Sequence, residues 1–251
     1  MVTPLSAPPS VPLDVLPAWV TLVRAPNPGP MTLDGTNTWV LPEHHVVIDP
    51  GPDDAAHLER VAGSGPIATI LLTHGHLDHV EGAPRLSEML GGVPVRAADP
   101  ALCRNGGPLR HDEEIDGVRV LAVPGHTADS VALLARDAVF TGDTILGRGT
   151  TVVAWPDGDL GDYLASLRLL ASLDGVPVLP GHGPALADCA AAARHYRQHR
   201  LARLEQVRAA RDAGADTPMD VVRIVYADVD PALWPAAEWS VRAQLAYLDR
   251  P

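Results

Sequence analysis

Four side chains that can bind metal lie between positions 74 and 79 of the sequence: His74, His76, Asp78 and His79. The apolar run over 68–72 before them is typical of a buried strand, so the first two histidines follow the end of a strand. His74 and His76 are two residues apart and can point the same way from an extended backbone. Asp78 and His79 lie beyond the bend and can turn towards a second point. The spacing therefore favours a centre of two metal ions over one.

Other side chains suited to metal follow apolar strands in the same manner, each in a turn that contains glycine. Ligands placed at the ends of several strands would meet at one end of a layered α/β core. The residues concerned are His126 after 118–123, Asp143 after 138–140 and His182 after 176–179. Asp49 also follows a strand, and its position fits two roles: orienting a ligand histidine, or capping the next helix.

The strands and helices that must position these turns follow from the spacing of the apolar residues. Near position 217, Thr217-Pro218-Met219-Asp220 offers a helix cap, a first-turn proline and an acid. We predict an α/β catalytic domain over 18–185, preceded by an extended proline-rich leader over 1–17 and followed by a small helical appendage over 186–251. The predicted strands are 20–23, 36–41, 45–48, 68–72, 93–97, 118–123, 131–134, 138–140 and 176–179, and the predicted helices are 53–61, 82–90, 159–173, 186–211, one ending near Tyr226, and 231–248.

The composition narrows the class of protein. Hydrophobic residues make up 46% of the 251 residues, so the chain can bury a core and is not predicted to be disordered. The leader lacks the basic region of a secretory signal, and no apolar run approaches the roughly 18 residues of a membrane span. The two cysteines, Cys103 and Cys189, form no C-x-x-C motif, which fits free thiols in a reducing compartment. We therefore expect a cytoplasmic protein with no membrane partner.

In their order along the chain, the motifs resemble those of the metallo-β-lactamase-fold metallohydrolases. The resemblance implies an αββα sandwich and a metal-dependent hydrolase. It also implies two Zn²⁺ ions, with Mn²⁺ or Fe²⁺ as alternatives in the same shell of imidazole and carboxylate, and a water shared by the ions that attacks as hydroxide. The matching motifs are His74-x-His76-x-Asp78-His79, Gly125-His126-Thr127, Gly142-Asp143-Thr144 and Gly181-His182-Gly183.

The same resemblance assigns a role to each ligand residue in this sequence. His74, His76 and His126 would hold the first ion. The second ion would be held by Asp78, His79 and His182, and Asp143 would bridge the two. Asp78 is also the implied catalytic residue.

A narrower resemblance, to the β-lactamase-like protein 2 group, covers nearly the whole chain. It implies an endoribonuclease that carries a winged-helix-like C-terminal tail. We predict single-stranded RNA as its substrate, because a single strand can thread a cleft at the strand ends and a stiff duplex cannot. It rests on Asn27-Pro28-Gly29-Pro30, Gly35-Thr36-Asn37-Thr38, Gly147-x-Gly149-Thr150-Thr151, Tyr196-x-x-His199-Arg200 and the segment 217–226.

For the substrate, the sequence leaves several alternatives open. Asn37 and Thr38 fit two roles, lining the mouth of the site as substrate-binding residues or packing the loop, and we expect Arg200 to bind substrate as one of a row of arginines over 194–211. That row fits either RNA phosphates or ion pairs with the acidic main domain. The net charge of −12 instead favours a hydrolase of small thioesters, lactones or esters. A mononuclear-iron oxygenase and a non-catalytic metal- or nucleic-acid-binding module are the remaining alternatives.

Overall fold

The computed structural model describes residues 16–250, so most of the leader predicted over 1–17 lies outside the described residues. Within this range, strands and helices alternate through the first two thirds of the chain, and helices alone follow. The strands are β1 (Thr21–Arg24), β2 (Asn37–Leu41), β3 (Val46–Ile48), β4 (Thr69–Leu71), β5 (Val95–Arg96), β6 (Glu114–Ile115), β7 (Val118–Ala122), β8 (Val131–Ala135), β9 (Ala138–Gly142) and β10 (Val178–Pro180). The α-helices are α1 (Ala55–Ala62), α2 (Leu77–Val80), α3 (Ala83–Met89), α4 (Leu160–Leu170), α5 (Cys189–Asp212), α6 (Pro218–Val225) and α7 (Trp234–Leu248).

The strands form two five-stranded sheets. The first has the order β1-β2-β3-β4-β5, antiparallel as far as β3 and parallel from β3 to β5. The second has the order β10-β9-β8-β7-β6, in which β10 is parallel to β9 and the other pairs are antiparallel. Parallel neighbours need a crossover connection, which α1 supplies between β3 and β4 and α4 supplies between β9 and β10.

The central strands of each sheet are buried on both faces, and their successive residues point alternately into two different cores. Trp39 of β2 lies in the core between the sheets, whereas its neighbour Val40 packs with Leu58 of α1 outside the first sheet. In β9, Phe140 faces the space between the sheets, and Val139 packs with α4 and α5 outside the second. The layers are therefore helix, sheet, sheet, helix, which confirms the predicted αββα sandwich.

The C-terminal helices form the predicted appendage and pack on the sandwich. α5 lies against α4, and α6 and α7 share a small core with the end of α5. The Thr217 hydroxyl accepts the backbone N–H of Asp220, and the Asp220 carboxylate accepts the backbone N–H of Thr217, both at 3.2 Å. This reciprocal cap is the one that the sequence near position 217 predicts.

Two short elements differ from the sequence prediction. α2 lies where a turn was expected, and β6 pairs with β7 inside a segment with no predicted structure. The β6–β7 turn is Asp116-Gly117, whose φ angles of 50° and 77° are those of a tight hairpin turn. Elements of two and four residues are too short to show an apolar period, which is why the pattern missed them. None of the helices in the described range is long and apolar enough to cross a membrane.

Candidate metal centre

The seven predicted metal ligands lie together at one edge of the sandwich. His74 and His76 occupy the turn after β4, and Asp78 and His79 lie on α2 immediately beyond it. The other three follow β7, β9 and β10. The ligand atoms fall into two groups, and within each group all of them lie within 4.8 Å of one another. The first group is His74, His76, His126 and Asp143, and the second is Asp78, His79 and His182.

In the first group the side chains turn their ring nitrogens towards a common point. His76 Nδ1 lies 3.0 Å from His74 Nε2 and 3.1 Å from His126 Nε2. Asp143 Oδ2 lies 3.9 Å from His126 Nε2. Three imidazoles and one carboxylate at such distances form the donor set that zinc and similar divalent ions prefer.

The second group is arranged in the same manner. His182 Nε2 lies 3.2 Å from both His79 Nε2 and Asp78 Oδ2. Asp143 also reaches this group, with Oδ1 at 3.5 Å from His79 Nε2 and Oδ2 at 3.4 Å from His182 Nε2. Its Oδ1 is buried and has no hydrogen-bond partner among the described residues. A carboxylate that faces both groups with an unpartnered oxygen fits a pair of bridged metal ions.

Two acceptors, one of them the buried Asp49, orient ligand rings from behind. Asp49 Oδ2 accepts from His79 Nδ1 at 2.8 Å, and the backbone carbonyl of Val152 lies 2.6 Å from His126 Nδ1. Because Nδ1 of each ring is occupied, Nε2 is left with its lone pair towards the metal group. Of the two roles that the sequence left open for Asp49, the structure shows the first, since the cap of α1 is Asp54.

The structure places the predicted substrate residues of β2 differently from expectation. Asn37 and Thr38 are 0% exposed. Asn37 donates to the carbonyls of Pro180 and Gly183 at 3.0 and 2.9 Å, and Thr38 donates to the carbonyl of Asp49 at 2.7 Å. These side chains hold the ligand turns in place, and of their two roles the first, lining the mouth of the site, is corrected.

Thr36 is a site residue that the sequence reasoning missed. Its hydroxyl donates to Asp78 Oδ2 at 3.1 Å, and its backbone pairs with His182. The sequence signal for Thr36 is the Gly35–Thr38 motif, which also contains Asn37 and Thr38. What the motif could not show is which of its members faces the ligands.

The charges within the centre are strongly coupled. Burial lowers the pKa of His126 to about 4, so this imidazole is neutral at physiological pH. Burial also acts to lower the pKa of His182, but Asp143 and Asp78 outweigh it and raise that pKa to about 10. For Asp78, burial acts to raise the pKa, but the hydrogen bond from His182 and the positive charges of His79 and His182 together outweigh it and lower the pKa to about 2. The proton on His182 thus occupies a position that a divalent cation would take, and metal binding would release it.

A cavity of about 390 Å³ opens onto both ligand groups. Arg200 is one of its lining residues and is almost fully buried. The metal centre contributes His76, Asp78, His126, Asp143 and His182 to its wall, and most of the rest is apolar. The apolar lining comes from Met31, Leu33, Leu146 and Val152 of the sandwich and from Val229, Leu233, Ala236, Ala237 and Trp239 of the appendage.

Known proteins share these sequence features. A β-lactamase superfamily domain matches residues 44–145, and a β-lactamase associated winged helix domain matches residues 217–250. The chain is 33% identical over 257 residues to the β-lactamase-like protein 2 homolog of Drosophila melanogaster, covering 89% of this chain and 85% of the relative. It is also 36% identical over 191 residues to the atrochrysone carboxyl ACP thioesterase of Aspergillus fumigatus, covering 70% of this chain and 59% of the relative.

Solved structures share the fold. A metallo-β-lactamase family protein from Thermus thermophilus superposes with a TM-score of 0.78 at 24% identity, over 93% of this chain and 94% of that one. A structure in a di-iron-bound form superposes with a TM-score of 0.58 at 29% identity, over 70% of this chain and 98% of that one. The chain therefore belongs to the metallo-β-lactamase superfamily of metal-dependent hydrolases, and it carries the winged-helix domain associated with that superfamily.

Proposed function

We propose that this protein hydrolyses small acyl thioesters or esters with a pair of divalent metal ions. The observation that carries the proposal is the apolar cavity of about 390 Å³ with both ligand groups in its wall. A cavity of this size suits a small molecule, and apolar lining with a few convergent polar groups is typical of such sites. The A. fumigatus relative, whose name describes a thioesterase, supports the same class of substrate.

Two ions, when bound, supply a hydroxide at neutral pH and polarise the acyl carbonyl. The chain's own residues hold the reacting groups in place. Thr36 and Asp49 fix the orientations of Asp78 and His79 through hydrogen bonds of 3.1 and 2.8 Å. The apolar walls exclude water from the acyl chain. Hydrolysis breaks the carbon–sulfur bond, adds the oxygen of water to the acyl carbon and delivers a proton to the departing thiolate.

Two ions are proposed because the ligand side chains form two groups that share Asp143. One tetrahedral site takes four ligands, and seven converge here. The solved relative in a di-iron-bound form supports a centre of two ions on this fold. Zinc, manganese and iron all fit the shell of imidazole and carboxylate. Elemental analysis of protein purified without added metal separates this proposal from a mononuclear-iron oxygenase, for which a single iron is expected.

Single-stranded RNA stays a prediction with less support from the geometry. Most arginines of the α5 row are engaged in ion pairs, among them Arg208 with Glu205 at 2.7 Å and Arg211 with Asp249 at 2.9 Å. The open groove beside His76 is lined by three carboxylates, which would repel a polyanion. They belong to Asp99, Asp129 and Asp157.

The test is a parallel assay of zinc-reconstituted protein on acyl thioesters, aryl esters, lactones and a labelled single-stranded RNA. We expect thioester or ester hydrolysis by the wild type and its loss in His76→Ala. The exposed His111 provides a matched control, because His111→Ala removes an imidazole outside both ligand groups. Equal thioester rates in wild type and His76→Ala would show that the activity is not that of this centre. Metal-dependent cleavage of RNA alone would favour the nuclease alternative.

A further inference from the structure

Arg200 carries a charge that no described residue balances. It lies on α5 in the wall of the cavity and is 3% exposed. Within residues 16–250, no carboxylate oxygen lies within 4.0 Å of its guanidinium, whereas Arg148, which also lines the cavity, pairs with Asp34 at 2.5 Å. An uncompensated buried charge is costly, so a partner from outside the chain would be strongly favoured here.

The hydrogen bonds of this wall are also incomplete. Arg200 Nη2 donates to the carbonyl of Thr151, but its Nε is buried and has no partner among the described residues. The neighbouring His199 Nδ1 is buried without a partner as well. The guanidinium lies over the ring of Tyr163, with its central carbon 5.6 Å from the ring centroid. An unpartnered buried donor on a fixed guanidinium is what an anionic ligand would satisfy.

Arg203, one turn further along α5, adds a second positive charge to the same wall. It donates to the carbonyl of Val225 at 2.5 Å and lies over the ring of Tyr226. The carboxylate nearest to it, that of Asp228, is 3.9 Å away and exposed. Burial, together with Arg200 and Arg203, lowers the pKa of His199 to about 3, so this imidazole is neutral. Arg200 and Arg203 therefore place two guanidinium groups in the lining of the cavity that also holds the metal ligands.

The geometry points to an anion subsite at Arg200 that binds a carboxylate on the acyl group of the substrate while the scissile carbonyl lies at the metal centre. The inference rests on the proposed function and narrows its substrate class to monothioesters or monoesters of dicarboxylic acids. The planar guanidinium fork matches a carboxylate. Thr151 alone lies between Arg200 and the metal ligand His126. The Thr151 carbonyl accepts from Arg200, and the Thr151 hydroxyl lies 3.2 Å from His126 Nδ1. The acyl chain between the subsite and the metal centre is consequently short.

The test compares acyl chains that differ in one terminal group. Zinc-loaded protein is assayed on the N-acetylcysteamine thioesters of succinate, glutarate and adipate, and on those of the monocarboxylic acids of equal length. We expect kcat/KM to favour at least one dicarboxylate thioester by about 10-fold or more, the effect of a charge-assisted hydrogen bond. In Arg200→Gln the preference should vanish through a higher KM for the dicarboxylate thioester, with little change for its neutral partner. Arg200→Lys should keep part of the preference.

Arg148→Gln is the matched control, because Arg148 lines the same cavity but already has Asp34 as its partner. It should keep the wild-type preference. A wild type without preference, a preference that survives in Arg200→Gln, or an equal loss on both thioesters would overturn the subsite. Zinc content and thermal unfolding of each variant identify a folding defect.

A binding measurement keeps the subsite separate from the proposed function. Glutarate and pentanoate each offer one carboxylate to the metals, and glutarate has a second for Arg200. Calorimetry on zinc-loaded protein should show tighter binding of glutarate in the wild type and equal binding in Arg200→Gln. If no thioester is hydrolysed but this difference is found, the proposed function fails and the subsite stands. Equal binding of the two acids to the wild type would overturn the subsite.

Discussion

Asp49→Asn is the change that best tests how the metal centre is built. The Asp49 carboxylate is 1% exposed and accepts three hydrogen bonds. Oδ1 accepts from the backbone N–H of Thr73 at 2.8 Å, and Oδ2 accepts from the Thr73 hydroxyl at 2.6 Å and from His79 Nδ1 at 2.8 Å. An amide has one acceptor oxygen and an NH₂ group, so either orientation of asparagine turns a donor towards a donor. The donor–donor contact is removed at the lowest cost when the His79 proton moves from Nδ1 to Nε2. There it occupies the lone pair that would bind the metal ion.

We expect this variant to bind the ion of the Asp78, His79 and His182 group about 10- to 100-fold more weakly, or about 1.4–2.8 kcal/mol. A buried donor left without an acceptor costs about 1–3 kcal/mol, which agrees with that range. The first group should be affected less, because Asp49 contacts none of its members directly. The assay is a competition titration of zinc against a chromophoric chelator, which resolves two binding steps.

The matched control is Asp54→Asn, since Asp54 caps α1 by accepting from the backbone N–H of His57 at 2.8 Å. Asparagine caps helices about as well as aspartate, so this variant should bind both ions as the wild type does. If Asp49→Asn also binds both ions with unchanged affinity, the reasoning is refuted, and Asp49 does not orient His79 for metal.

Three other changes test separate parts of the structure. Asp143→Ala should lower the content of both ions, because this carboxylate faces both groups; elemental analysis showing one ion fully retained would contradict the bridging role. Tyr196→Phe removes a hydroxyl bonded to the backbone N–H and carbonyl of Leu146, and should lower the free energy of unfolding in urea by about 1–3 kcal/mol; an unchanged value would argue against those bonds. Burial raises the pKa of the Cys189 thiol to about 12, so thiol reagents should modify native protein at Cys103 alone; mass spectrometry finding equal labelling would show that Cys189 is accessible.

The metal ligands could be predicted from sequence because each follows a strand whose apolar pattern is local and strong. The end of a strand is set by a few consecutive residues, and Gly142-Asp143 or Gly181-His182 mark such ends. The contacts of Asn37 could not be predicted in this way, since it bonds to the carbonyl of Gly183, 146 residues further along the chain. The spacing of residues within a motif does not predict which of its side chains contacts a turn that is distant in the sequence.

The cavity was less predictable still, since its walls come from parts of the chain that fold as separate layers. Leu233 and Trp239 look like ordinary residues of small helices, and Val229 like one of the turn before them. Their role arises only when the appendage docks on the sandwich. Arg200 was expected to bind substrate because it belongs to a row of arginines. When the appendage docks on the sandwich, Arg200 takes a different environment from the other arginines of the row. Arg194, Arg208 and Arg211 face acids near the surface, whereas Arg200 is buried against Tyr163.

The structure thus divides the two tasks of the site between two parts of the chain. Every side chain of the two groups that could hold metal comes from the sandwich, where the strand ends are held by cores on both sides of each sheet. Among its described residues, 186–250, the appendage contributes no member of either group, but it supplies Arg200, Val229 and Trp239 to the cavity. Ser240 of α7 also bonds to the backbone N–H of Val153, beside the loop that orients His126. Changes in the appendage can therefore alter which substrate fits while the same seven side chains remain in position for the metals.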